Sequence, residues 1–162
     1  FQIPGSVTSK SELKVIHYPR EHYNLEGGSA ERSGSAYCLR KGKGKKIQHD
    51  LTDSVLIDGL PHAEVAKILK RVKRFVSYDT LTAYSIFAVL SGCESVVIPD
   101  EGVAEEQWYP NPEDRYGIAY GFEGLDAARL TKDKVLDRII AEEGKCTARV
   151  EQALKEIDQM FA

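Results

Sequence analysis

The sequence predicts an α/β protein, an open and mostly parallel sheet with helices on both faces, and three observations predict it. The stretch RFVSYDTLTAYSIFAVLSGCESVVI at 74–98 reads as a buried strand, a polar turn, an amphipathic helix, a glycine stop and a second buried strand. That order is a β-α-β unit, which joins parallel strands. Strand-like and helix-like apolar periodicities also alternate along the chain, the pattern of a sheet layered between helices. Finally, 162 residues with 42% hydrophobic content suffice to bury one core.

The elements follow in order. Residues 1–12 are polar, contain Pro4 and Gly5, and are expected to form an arm or linker, with a single domain over 13–162. LKVIHY at 13–18 has strand character and ends at Pro19. Glycine, serine and charge at 24–34 indicate a loop. SAYCL at 35–39 is a second strand, leading into the basic loop RKGKGKK at 40–46. A short apolar run at 55–57 ends in Asp58 and Gly59. Pro61 opens a helix whose apolar face carries Val65, Ile68, Leu69 and Val72. The strand at 75–77 is followed by a helix expected over 80–91 and stopped by Gly92, then by a strand at 95–98. A long loop at 100–114 holds Trp108, the only tryptophan. GIAYGF at 117–122 is a sixth strand, and 125–130 a short helix. Thr131 is expected to cap a helix carrying Val135, Leu136, Ile139 and Ile140. An amphipathic helix at 147–161 closes the chain.

Composition excludes several classes of function. A formal charge of -3 gives no global basic excess for nucleic acid. No apolar run approaches the roughly 18 residues of a membrane span, and no charged-then-apolar leader follows Phe1. A first residue of Phe points to a longer parent protein. Cys38, Cys93 and Cys146 are odd in number and widely spaced, which supports neither a disulfide framework nor a zinc site. A reducing, cytoplasmic setting is expected.

Four places could carry chemistry. The turn Ser77-Tyr78-Asp79-Thr80 offers hydroxyls, a carboxylate and helix-start amides to a phosphate, with Thr82 as a further donor. Its alternative is a plain helix cap worth about 1 kcal/mol. In the basic loop Arg40, Lys41 and Lys45 could wrap an anion, though the phosphate-loop order of glycines and lysine is absent. A solvated surface turn is the competing reading. His49 and Asp50 could act as base and orienting acid, but adjacent side chains seldom face one another. In GVAEEQWYPNPEDRYG at 102–117, Glu105 and Glu106 could bind ribose or sugar hydroxyls and Trp108 could stack on a ring. The same loop could instead be pinned to the core by Trp108 and Tyr109.

These residues together resemble a known family. A strand ending in an SYD turn, a helix ending in small-x-Gly-Cys, a strand VVIP and a following G-x-x-E resemble the C-terminal half of GT-B glycosyltransferases, over 76–105. More narrowly, AYCLRKG, LIDGLPHAEVAKIL, FVSYDTLTAYS, SGC, VVIP and YGIAYGF are similar to a group of bacterial surface-polysaccharide glycosyltransferases, over about 35–130. The resemblance implies a Rossmann-like domain that binds a nucleotide-diphosphate sugar, with the acceptor held by an N-terminal domain outside this chain. It implies that Arg40, Lys41 and Lys45 neutralise the leaving diphosphate, that Tyr78, Thr80 and Thr82 lie at the phosphates, and that Asp79 takes the place of the first acid of a paired motif. Glu105 matches the G-x-x-E acid, which begins at Gly102. The second paired acid falls on Phe87, so ribose recognition passes to Glu105 or Glu106.

No metal is implied, since no D-x-D triplet occurs, and no cofactor beyond the donor substrate. The catalytic base, the sugar, a hexose or deoxyhexose, and the acceptor stay open. Also implied are a capsule or O-antigen acceptor, a cytoplasmic location and peripheral association of the full protein with the membrane's inner face. A non-catalytic α/β interaction or nucleotide-binding module is the competing class. A donor site requires Asp79, Thr80 and Arg40 at one rim of the sheet, whereas a surface module lets them scatter.

Overall fold

The structure is a computed structural model and describes residues 16–161. Its centre is a five-stranded, all-parallel sheet in the order β2-β1-β3-β4-β5. The strands are β1 (Ser33–Cys38), β2 (Ser54–Leu56), β3 (Val72–Ser77), β4 (Glu94–Val97) and β5 (Ile118–Tyr120). Helix α1 (His62–Leu69) packs on β3, and α2 (Tyr84–Leu90) on β3 and β4. Helix α4 (Leu125–Thr131) packs on β4 and β5.

Pleating decides which residues meet which helices. Register pairs Val76 with Val96, and Val96 with Ala119. These three form one buried cluster with Tyr78, Ile98 and Ala128 of α4. Phe75 and Val97 alternate to the opposite face, where α1 and α2 lie. Both faces are therefore covered, as an all-parallel sheet requires, and the fold is α/β and Rossmann-like in class. Phe75 and Val76 are each 0% exposed although adjacent, because both faces of β3 are covered at this end, while Lys73 and Arg74 occupy its less buried start.

Local chemistry accounts for the boundaries. Gly92, at φ +89, ends α2: Cys93 N donates to Ala88 O at 2.9 Å and Gly92 N to Val89 O at 2.9 Å. That pair of bonds is a Schellman ending, and the positive φ is why glycine is needed there. Arg32 ties the C-terminal ends of two helices together. Its guanidinium donates to Leu69 O at 2.9 Å and Ser91 O at 2.6 Å, carbonyls left open where α1 and α2 stop, and to Val72 O at 3.1 Å at the start of β3.

Several expectations are corrected. Helix α2 begins at Tyr84 rather than at 80. Asp79 Oδ1 accepts from Leu81 N at 3.0 Å and Thr82 Oγ1 from Tyr84 N at 3.3 Å. These side chains offer the backbone local partners and delay the helical ladder. Residues 16–18 form no strand, and 13–15, like the arm at 1–12, lie outside the described residues. The 100–114 loop carries a short helix, α3 (Glu105–Trp108), and a 3₁₀ turn, Pro112–Arg115. Thr131 does not cap the next helix. Its hydroxyl donates back to Ala127 O and Ala128 O, and it accepts from Gly117 N at 3.0 Å.

The chain divides into two compact units. Among the described residues, Pro19–Arg138 holds the sheet, and residues 16–18 group with residues 139–161. In the second unit, Tyr18 N donates to Glu143 Oε1 at 2.8 Å and Arg149 pairs with Glu142 at 3.0 Å. Helices α5 (Val135–Gly144) and α6 (Cys146–Phe161) complete the element order.

Candidate functional site

The strand order reverses between β1 and β3: β2 lies on one side of β1, and β3, β4 and β5 on the other. In open α/β sheets a crevice forms outside the carboxyl ends of the strands at such a reversal. The turns after β1, β3 and β4 meet there.

Arg40 leaves β1 in a 3₁₀ turn, Arg40–Gly42, with φ +41. It is the one non-glycine at positive φ among the described residues, and that conformation is held from outside. Asp58, just past β2, accepts from Leu39 N at 3.1 Å and Arg40 N at 2.9 Å through Oδ2. The backbone amides at the end of β1 are thus filled by the chain's own carboxylate. Gly42 presses on the far end of β3, where a Cβ would overlap the Tyr78 carbonyl. The Arg40 guanidinium then reaches across, donating to Thr82 Oγ1 at 3.2 Å and lying 5.0 Å above the Tyr84 ring.

Lys45 sits farther along the same edge. Its ammonium donates to Ile98 O at 2.7 Å and pairs with Asp100 Oδ1 at 2.7 Å. Thr80 Oγ1 donates to the other oxygen, Asp100 Oδ2, at 3.0 Å. The Lys45 ammonium, aided by the Thr80 hydroxyl, holds the Asp100 carboxyl below its usual range. The long loop is fastened alongside: Trp108 Nε1 donates to Thr80 O at 2.7 Å, and its ring stacks on Tyr120 at 4.8 Å.

The expected site residues fall into three groups. Arg40 bonds Thr82, and Lys45 and Thr80 share the Asp100 carboxylate, at one rim. Lys41, Gly102 and Glu106 are exposed on the loops, while Glu105 pairs with Arg115 at 3.4 Å. Tyr78 and Asp79 turn inward. Asp79 is 6% exposed and closes its own turn. Tyr78 is 0% exposed, and its hydroxyl accepts from Gln48 N at 2.8 Å and meets His49 Nδ1 at 2.7 Å.

His49 and Asp50 do not form an acid–base unit. The other ring nitrogen of His49 meets Ser54 Oγ at 3.0 Å, while Asp50 accepts from Thr52 N at 2.8 Å. Burial lowers the His49 pKa, with Asp50 opposing. Burial also pushes the Cys38 thiol up to about 11, which leaves it protonated and a poor nucleophile at neutral pH. Among the described residues no group of three or more His, Cys, Asp or Glu could hold a metal ion.

Two residues of the rim, Asp58 and Asp100, escape motif reading. Each stands just after a strand run and before a glycine turn, which is the available signal. An apolar cavity of about 460 Å³, lined by Tyr23, Leu25, Val89, Leu90, Cys93 and Val135, includes the residue that precedes β4 and so opens at the amino edge, away from this rim. No known family, curated protein or solved structure matches the chain.

Proposed function

We propose that this chain is the donor-binding domain of a GT-B-type glycosyltransferase of bacterial surface-polysaccharide synthesis. It holds a nucleotide-diphosphate sugar at the carboxyl edge of the sheet for transfer to a glycan acceptor. The observation that carries the reading is the gathering of two cations and two hydroxyls at that edge, Arg40 directly on Thr82 and Lys45 linked to Thr80 through the Asp100 carboxylate. A leaving diphosphate gathers negative charge in the transition state, and fixed cations beside it stabilise that charge. Arg40 suits this role because Asp58 fixes its backbone and Tyr84 its guanidinium, so little reorganisation accompanies binding. The acceptor and its activating base are assigned to a domain outside this chain, so the chain binds donor and turns over poorly. The reading places the protein in the cytoplasm, at the inner membrane face. No helix among the described residues is long and apolar enough to cross a membrane.

A thermal-shift series with UDP, GDP, dTDP, CMP and ADP, each against its nucleoside, tests the reading. Ligand at about 100 times its dissociation constant adds roughly 2.7 kcal/mol, or about 5–10 °C for a chain of this size. One diphosphate shifting the melt while its nucleoside does not is the expected result. Arg40→Ala should then weaken the diphosphate about tenfold or more, as loss of a charge-assisted contact, and leave the nucleoside unchanged. Equal weakening of both would remove Arg40 from the phosphate site.

A second reading, a nucleotide-binding module without transfer chemistry, draws on the strand order, which is that of flavodoxin-like proteins. Hydrolysis or transfer assays with nucleotide sugars and the full-length protein separate the two.

A further inference from the structure

We propose that the Lys45 ammonium and the Thr80 hydroxyl form a phosphate subsite, and that the Asp100 carboxylate occupies it until ligand arrives. That the phosphate belongs to a nucleotide diphosphate rests on the donor-binding reading; the subsite itself rests on geometry. Asp100 divides its two oxygens, Oδ1 at 2.7 Å from Lys45 Nζ and Oδ2 at 3.0 Å from Thr80 Oγ1. An anion bridging an ammonium and a hydroxyl sets two charged oxygens where a phosphate would set two of its own.

The two donors stay in place without Asp100, and Asp100 is the member able to leave. Lys45 is anchored by its bond to Ile98 O at 2.7 Å and its side chain is only 20% exposed. Thr80 is anchored by the Trp108 indole on its carbonyl at 2.7 Å. Asp100, by contrast, is 48% exposed and opens a turn through Gly102, which has φ +74 and open space around it. A half-exposed ion pair is weak, and a phosphate brings more charge than the carboxylate it replaces. Ligand binding is therefore an exchange in which Asp100 swings out as phosphate enters.

The exchange also accounts for an asymmetry along the rim. The Lys45 charge is covered by a carboxylate, whereas the Arg40 guanidinium has only Thr82 and the Tyr84 ring as partners among the described residues. Arg40 is the open cation that a diphosphate meets first. Lys45 is the covered one, released by the swap.

The test is calorimetric titration of inorganic pyrophosphate, then UDP, GDP, dTDP and ADP, into wild type, Asp100→Asn and the double variant Asp100→Asn/Lys45→Met. Asp100→Ser serves as a second removal of the carboxylate, and a circular-dichroism melt checks the fold of each. Removing the competing occupant should tighten pyrophosphate about fivefold at equal ionic strength, the fraction a weak internal pair withholds. The double variant should lose that gain. Unchanged or weaker binding in both Asp100 variants, or a gain that survives loss of Lys45, overturns the subsite. If pyrophosphate tightens as expected while no nucleoside diphosphate binds any variant, the subsite stands and the donor reading falls. If a nucleoside diphosphate binds wild type and Asp100→Asn equally, the donor reading stands and the exchange falls.

Discussion

Gly42→Ala should destabilise the protein by about 2–3 kcal/mol, and Gly44→Ala, two residues away, should not. Both glycines lie in the basic loop, and neither has positive φ, so backbone conformation is not the difference. The difference is space. A Cβ on Gly42 would overlap the carbonyl carbon and oxygen of Tyr78 and lie 3.0 Å from its Cβ, whereas one on Gly44 meets nothing within 4 Å. The obstacle is backbone at the end of the central strand β3, so relief must come from the turn. Moving the turn strains three bonds: Gly42 N to Leu39 O at 2.7 Å, Lys45 N to Gly42 O at 3.0 Å, and Tyr78 N to Cys38 O at 3.0 Å. Losing two of them costs about 1 kcal/mol each, and the residual overlap adds a similar amount. The melting temperature should fall by about 5–10 °C. Gly44→Ala should be neutral or slightly stabilising, because alanine narrows the unfolded ensemble. Urea denaturation of the two variants side by side is the assay. Equal stabilities within about 0.5 kcal/mol would refute the claim that the turn bearing Arg40 is wedged against β3.

Tyr78→Phe should cost about 1–3 kcal/mol, because Gln48 N and His49 Nδ1 lose a buried partner. It should leave nucleotide affinity unchanged, since the side chain is 0% exposed; a loss of affinity without loss of stability would put the hydroxyl in the site. Stability should also fall as pH drops from about 6.5 through the lowered pKa of His49. There the unfolded chain binds a proton that the buried ring resists. Denaturation at a series of pH values checks the slope, and His49→Gln should flatten it. A protein that grows more stable on acidification through this window would contradict the assignment.

Much of the fold was legible because it depends on local pattern. The β3-α2-β4 unit, the glycine stop at Gly92 and the helix after Pro61 follow from apolar period, φ requirements and fixed ring geometry, all carried by neighbours in the chain. The start of α2 was not legible. Asp79 and Thr82 can cap a helix or close separate turns, and the choice falls to the packing around them. Tyr78 illustrates the same limit. A tyrosine at a strand end reads as a surface ligand, yet alternation along β3 sends its ring into the core with Val76, and His49 supplies the partner that makes burial tolerable.

By itself the sequence determined the α/β class, the parallel sheet and the cations and hydroxyls that stand at strand ends, because period and turn chemistry are properties of short stretches. Only the tertiary structure decided what those groups do to each other. Asp58, 18 residues after Arg40, holds its backbone, and Asp100, 55 residues after Lys45, covers its charge. Such pairs arise from strands laid side by side in an order that no local signal encodes. The electrostatics of the rim, one cation open and one covered, exist only once the sheet has formed.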